Sequence, residues 1–576
     1  LALAVAIGLL AAWPLFEPRL PHGADTLTHF YKLVQFDHLV RQGILFTRWF
    51  PHKYSGFGAP LFQYYAPLAY YGAEIFRLPG FDHLLALRMA FGLTLVGAGL
   101  GMYLWVRDAL DDASSLIAAA AYVCSPYMFF AAYFRGGFTE MFALMFMPFV
   151  LWAFRRLVYT GKVRYLAAGA FLYAAVVLSH NLTALIFSPA LGAYLIVLWV
   201  SGAGDANRKM GWSVLAWLVA AAILGLGMSA FFWLPALAER DAVQTGLLYA
   251  TPGLDYHHHF IRPQEFLSLP LTLIPGPGLS IVAALLALLG AAWQVWKPPR
   301  ELPSLEIQLA IAVAALGTFM ALPASVGLWE AVPAMRLFQF PHRFLGAAAV
   351  FLAFLAGAGA YGLKRGIAAL ARTESEEEVS AADIRLAQSA VLLIIGGLLV
   401  SHVVGLSQVR YFQPLPKVDV DFIMLKEREI APSIGGFTGI YIPKDVEAMP
   451  PFEELAQDGP RRLDRSSLPG GAEVVAEDWE LLRYDLIIST PRPFSALFRT
   501  FYFPGWQAQL DGQPAPIEIA KPYGQISVAV PQGEHRLTVW FGSTPVRTAA
   551  TALSVLSAAA LCVAAAAMAL RRKENN

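Results

Sequence analysis

Along the chain, long apolar runs alternate with short polar breaks. A helix needs about 20 apolar residues to cross the hydrocarbon core of a bilayer. Runs of that length, or close to it, fall at 1–16, 83–106, 114–133, 138–158, 164–180, 182–200, 211–237, 279–296, 305–323, 344–363, 386–406 and 547–570. The expected fold class is therefore an α-helical polytopic membrane protein with about twelve transmembrane helices. The aromatic stretch 60–76 is a further short or re-entrant element. Between 407 and 546 the pattern changes, because charges return and short strand-like runs such as "DLIIST" and "GQISVAVPQGEHRLTVWF" stand between Gly and Pro breaks. That segment is expected to form a β-sandwich-like domain held by helices on both sides. Asp511-Gly512 and Gln532-Gly533 are its hairpin-turn candidates.

Lys and Arg in the short loops orient the chain. Arg155, Arg156, Lys162 and Arg164, then Arg208 and Lys209, Lys297 and Arg300, Lys364 and Arg365, and Arg571 to Lys573 fall on one side when the crossings are counted. That side is read as cytoplasmic, together with both termini and the acidic run Glu374 to Glu378. The domain plan is then a membrane domain over 1–406 with large external loops at 17–82 and 238–278. An extracytoplasmic β-rich domain at 407–546 and a final helix with a basic tail at 547–576 follow.

Composition agrees with lipid as the solvent. Of 576 residues, 57% are hydrophobic and 14% charged, and the mean hydropathy is +0.53; a soluble domain carries about 25% charged residues. A net charge of +1 gives no field that would draw nucleic acid. Cys124 and Cys562 sit far apart inside apolar runs and read as small core residues rather than a disulfide or metal thiolates. The chain opens on Leu1 within an apolar stretch, so nothing is drawn from the lack of a leader.

Polar chemistry gathers in the external segments. Asp25, His29 and Lys32 lie at i, i+4 and i+7, on one face of an amphipathic helix expected along the outer surface. Asp25 suits an N-cap, and a carboxylate just outside a membrane helix also suits a general base. The aromatic tail of this loop contains Arg48, Trp49, His52 and Lys53, with cations for an anionic head group and closely spaced Gly56, Gly58, Pro60 and Pro67 that imply a shaped backbone. Arg135 stands at the next external turn and Glu140 enters the following helix, either as a structural pair or as a functional one. His180 and Asn181 occupy a junction between apolar runs, and His342 with Arg343 stands at the outer mouth of a helix, where Arg343 is either a phosphate clamp or an interfacial anchor. Three consecutive histidines, His257 to His259, are poorly spaced for a single metal ion.

The segments carrying Asp25 and His29, "RWFP", "GFGAPLFQYYAPLAYY", "RGGFTEMFALMFMP" and "SHN" resemble the bacterial multi-spanning family labelled 6-pyruvoyl-tetrahydropterin synthase-related. The stretch "FPGWQAQLDGQPAPIEIAKPYGQISVAVPQGEHRLTVWF" resembles the terminal domain of YfhO-like membrane proteins. Both groups look like relatives of the GT-C superfamily, polytopic glycosyltransferases that use polyprenyl-phosphate sugars. The pterin label itself is not carried over, since soluble pterin synthases hold zinc on three histidines in a setting absent here. The resemblance implies that Asp25 acts as base or binds a divalent cation and that Glu140 assists. No Asp-x-Asp stands in the second external loop, which leaves the metal open. It further implies that Arg135 or Arg343 neutralises the lipid phosphate, with a cell-envelope glycan, lipid or protein as acceptor. A flippase or transporter of lipid-linked sugars and a non-catalytic cell-envelope assembly protein are the alternatives.

Overall fold

The computed structural model describes residues 1–203, 212–246, 252–262, 281–296, 303–371, 381–429, 441–450 and 462–574. Arg208, Lys209, Lys297, Arg300, the run Glu374 to Glu378 and residues 263–278 of the second external loop lie outside these.

Each of the apolar runs falls on helix. Among the described residues, six helices are long and apolar enough to cross a membrane, or eight if two bent pairs are each one span. Three more apolar helices, Ala2–Ala11, Val163–Ser179 and Leu393–Leu406, are shorter. The run 114–133 is not one straight helix. Ser125 accepts from the Met128 N–H and starts a new helix with Pro126 in its first turn, so the chain bends by 43° between Asp112–Val123 and Pro126–Arg135. The run 211–237 bends by 67° between Trp212–Met228 and Ala230–Ala238. Small residues let the helices approach closely: a Cβ on Gly8 would lie 2.5 Å from the Val96 Cα.

The first loop departs from expectation. Thr26–Arg41 is a helix, but Phe30, Leu33, Phe36 and Leu39 are buried along with His29, Lys32, Gln35 and Asp37. It is packed nearly all round rather than laid on a surface, because the short helices Leu61–Tyr64 and Leu68–Arg77 and the membrane helices close over it.

The strands form two antiparallel sheets. β1 (Glu473–Trp479), β2 (Arg483–Thr490), β8 (Gly533–Phe541), β4 (Trp506–Leu510) and β5 (Gln513–Ala515) make one, in that order. β3 (Phe494–Phe501), β7 (Gln525–Val530) and β6 (Glu518–Ala520) make the other. Alternate residues of β2, namely Tyr484, Leu486 and Ile488, face the same core as Phe498, Ile526 and Val528 from the second sheet. Asp511-Gly512 is the two-residue hairpin turn between β4 and β5, with φ of 51° and 77°. Gln532-Gly533 is not a hairpin turn. It carries the chain from β7 in one sheet to β8 in the other, so the break marks a change of sheet.

Trp49, Tyr54, Phe57 and Ala59 are sewn into this core. Trp49 is wholly buried, stacked 6.0 Å from Phe503 and edge-on to Trp506 at 5.7 Å. Gly58, at φ +83°, lies beneath its indole, where a Cβ would come within 2.4 Å. That close approach is the reason for the shaped backbone.

Candidate functional site

Four helices begin around one cavity of about 150 Å³. Thr26–Arg41 starts after Asp25, Phe138–Thr160 after Gly137, Asn181–Ala203 after His180 and Phe344–Ala371 after Arg343. Helix N-termini carry partial positive charge, and four of them favour an anion here.

Asp25, His29, Lys53, Arg135, His180, Asn181 and Arg343, all expected from sequence, line this cavity. Arg48, Trp49, His52, Glu140 and His342 do not. Arg48 donates to Gln63 Oε1 at 3.2 Å, beside the buried Glu239–Arg547 ion pair of 2.8 Å. His52 packs on His38 with ring centroids 5.0 Å apart, and burial pushes its pKa down to about 3. His342 is buried edge-on to Phe130. Among the described residues the triple His257 to His259 forms no group of metal ligands: His257 bonds Asp255 at 2.7 Å and stands 3.7 Å from Glu330, while His259 bonds the Gly253 carbonyl at 3.0 Å.

Asp25 stands at the N-cap position, yet its side chain makes no capping hydrogen bond. Asp82 and Asp111 do cap their helices, each accepting a backbone N–H at 2.8 Å. The Asp25 carboxylate instead turns to the cavity, with Oδ2 3.7 Å from Arg135 Nε. The turn behind it is fixed by the backbone. Ala24 and Asp25 donate to the carbonyls of Phe134 and Arg135 at 2.9 and 2.7 Å. Gly136, left-handed at φ +68°, lets this turn press on the helix start, where a Cβ would lie 2.8 Å from the Thr26 nitrogen.

Glu140 lies under the floor. It is 1% exposed, ion-paired to Arg135 through one oxygen, and accepts from the Tyr127 hydroxyl through the other. The pair holds the Arg135 guanidinium in place at the floor of the cavity. Arg343 is anchored by the Phe338 carbonyl at 2.7 Å, while its buried Nε has no hydrogen-bond partner among the described residues. His180 Nδ1 accepts the Thr183 N–H at 3.2 Å, which leaves the ring proton on Nε2. Asn181 donates to the Tyr64 carbonyl at 2.8 Å and ties the aromatic loop to the helix start. Burial, with Lys32, Arg135 and His180 nearby, holds His29 well below the ordinary imidazole value, so the ring is neutral and hydrogen-bonded to Tyr70 at 2.8 Å.

The sequence reading did not single out Lys32, Tyr64, Tyr65, Gln339 or Tyr441 as site residues, although all line the cavity. Lys32 was signalled by its place on the Asp25 face. Its Nζ lies 3.9 Å from the Tyr65 ring centroid, and burial lowers its pKa to about 7. Tyr64 and Tyr441 stack with parallel rings 5.8 Å apart, and only three-dimensional packing brings them together.

The donor set does not fit a divalent cation. Asp25 is the carboxylate on the cavity wall, both Glu140 oxygens are engaged, and Lys32, Lys53, Arg135 and Arg343 surround the space. Among the described residues no group of three or more His, Cys, Asp or Glu is placed to hold a metal ion.

Among proteins of known structure, the chain is similar to the arabinofuranosyltransferase AftD from Mycobacteria, at 16% identity and a TM-score of 0.42 over 72% of this chain and 27% of that one. It is also similar to the Archaeoglobus fulgidus oligosaccharyltransferase, at 15% identity and 0.44 over 78% and 59%. ArnT from Cupriavidus metallidurans, bound to undecaprenyl phosphate, is similar at 14% identity and 0.42 over 75% and 80%. An uncharacterized protein of Lactococcus lactis subsp. cremoris is 22% identical over 259 residues, 44% of this chain and 41% of that protein. The chain thus spans about two fifths of that relative's length and about a quarter of AftD's. The model of the 6-pyruvoyl-tetrahydropterin synthase related domain, a membrane protein family, matches residues 62–407, and the chain belongs to that family.

Proposed function

We propose that this protein is a GT-C-type glycosyltransferase that moves a sugar from a polyprenyl-phosphate-linked donor to an acceptor hydroxyl at the outer face of the membrane. The observation that carries this reading is Asp25, a carboxylate that makes no capping bond and is held 3.7 Å from Arg135 in a cavity that also presents Lys32, Lys53, Arg343 and tyrosine faces. The donor phosphate would sit by Arg135 and Arg343, near the helix N-termini. The sugar would lie against the faces of Tyr64, Tyr65 and Tyr441, whose rings suit apolar sugar faces.

In the step itself, the acceptor hydroxyl attacks the anomeric carbon while Asp25 takes its proton. The new C–O bond forms as the bond to the phosphate oxygen breaks, and that oxygen leaves with the bonding pair. Charge growing on the phosphate is stabilised by Arg135 and Arg343, already in place before the reaction. The charge that Arg135 brings is held by Glu140, which acts as a positioning residue. The outer-face assignment is supported by Arg155, Arg156, Lys162, Arg164, Lys364 and Arg365, which lie at the helix ends away from the cavity.

The cavity lies at the mouths of the helices rather than at their middle, which favours transfer chemistry over passage through the midplane. The test is a purified wild-type protein in detergent, supplied with a radiolabelled pool of polyprenyl-phosphate sugars and a cell-envelope extract as acceptor. Label leaving the lipid fraction for a new product supports the enzyme, since no transport is possible in detergent. A pool that stays lipid-linked while the same protein moves it across vesicles would replace the enzyme by a transporter.

A further inference from the structure

Among the described residues, Lys32 has no counter-charge in hydrogen-bonding reach. Lys32 is 7% exposed, opens on the cavity, and makes no hydrogen bond or ion pair with any described residue. The face of Tyr65 lies against its ammonium, 3.9 Å from the ring centroid. A buried ammonium without a partner is unfavourable and is retained where something arrives to pair with it. The groups facing it are Asp25 and His29 from its own helix, Lys53 from the aromatic loop and Tyr65 beneath.

Arg135 is tied to Asp25 by the 2.7 Å backbone bond, with its guanidinium 3.7 Å from the carboxylate, whereas Lys32 stands about two turns further along the helix Thr26–Arg41. The lysine is thus set apart from the arginine end of the cavity. In a displacement at the anomeric carbon, the nucleophile and the leaving phosphate stand on opposite sides of that carbon. With the phosphate by Arg135 and Arg343, the acceptor approaches from the side of Lys32.

We propose that the Lys32 side of the cavity binds an anionic group, a carboxylate or a phosphate, carried by the acceptor close to its attacking hydroxyl. This rests on the glycosyl-transfer reading for the identity of the acceptor. The acceptor class is then an acidic glycan or a phosphorylated sugar rather than a neutral one. Lys32 recognises it as a point charge, and Tyr65 holds the ammonium in place from below.

The experiment is ligand binding to purified full-length protein by calorimetry, without turnover. The probes are glucose, glucuronate, glucose 6-phosphate, inorganic phosphate and undecaprenyl phosphate. Glucuronate or glucose 6-phosphate should bind at least about tenfold tighter than glucose, the gain of one charge-assisted contact. Which of the two binds tells carboxylate from phosphate, and inorganic phosphate matching glucose 6-phosphate would mean that the sugar is not read, overturning the acceptor assignment. Lys32→Met should abolish the preference, Lys32→Arg should keep it, and Arg343→Gln should leave it while removing undecaprenyl phosphate binding. Lys32→Gln is the second neutral variant should the methionine form not fold. Acidic sugars bound no better than glucose, or a preference that survives both neutral variants, overturn the proposal. Failure of undecaprenyl phosphate to bind wild type would instead strike the glycosyl-transfer reading, independently of the Lys32 result.

Discussion

Asp25 and Arg135 are joined twice: the Asp25 N–H donates to the Arg135 carbonyl at 2.7 Å, and the Asp25 carboxylate stands 3.7 Å from the Arg135 guanidinium. The backbone bond fixes where the two side chains start, and Glu140 fixes where the guanidinium ends. The carboxylate is left near its cation without being closed onto it.

Glu140→Gln therefore separates holding from chemistry. It strips a buried arginine of its partner, and removing one member of a buried pair costs about 3–5 kcal/mol. The expected outcome is a marked drop in thermal stability in detergent, with activity falling alongside. Unchanged stability would show that Glu140 does not hold Arg135.

Trp49 should act on the β-sandwich and not on the cavity. Truncation to Ala empties a site between Phe503, Trp506 and Phe541, and such changes cost about 3–5 kcal/mol. The strand segment 462–544 made alone should bind a hydrophobic dye at the vacated Trp49 site, and a covalently fused 46–60 peptide should suppress that binding. A dye-free, cooperatively folding isolated segment would contradict the shared core.

Lys32 gives a pH signature. Burial holds its pKa at about 7 in the folded chain, against the ordinary lysine value of 10.5. Between these values the unfolded chain binds more protons than the folded one, so stability from this group rises with pH. Its destabilising effect is complete below pH about 7 and is relieved towards pH about 10.5. Melting temperatures of wild type across this window should climb relative to Lys32→Met. Parallel profiles would show that Lys32 is not held in this way.

Single cysteines at Gln42 and Arg164 test which face the cavity occupies, because both side chains are exposed and neither position needs a positive φ. Gln42→Cys should react with an impermeant thiol reagent in intact cells and Arg164→Cys should not. The reverse pattern would place the cavity on the cytoplasmic side.

Hydrophobic run length located the helices well, since lipid demands long apolar segments whatever their neighbours. It missed the breaks at Ser125 and Ser229, where local caps and bends decide. The turn at Asp511-Gly512 was legible because two positive-φ residues are a local requirement. Gln532-Gly533 looked alike, but which sheet β8 joins is settled by strands far away in sequence. At the site, Asp25, Arg135 and Arg343 were found from charges placed at helix mouths. Glu140 also looked like a site residue, and only its bonds to Arg135 and Tyr127 place it under the floor. Arg48, Trp49 and His52 share a motif with Lys53, yet the chain turns between them and sends only Lys53 to the cavity. Spacing along a sequence does not encode such a turn.

The most direct test of Asp25 as the catalytic base is sugar transfer by purified Asp25→Asn protein with thermal stability measured alongside. Asn serves an N-cap position as well as Asp, and the Asp25 side chain makes no capping bond, so the melting temperature should not move. Loss of a general base lowers the rate by about 10²–10⁴. A fall of that size at unchanged stability is the predicted result, and full activity at unchanged stability would contradict it.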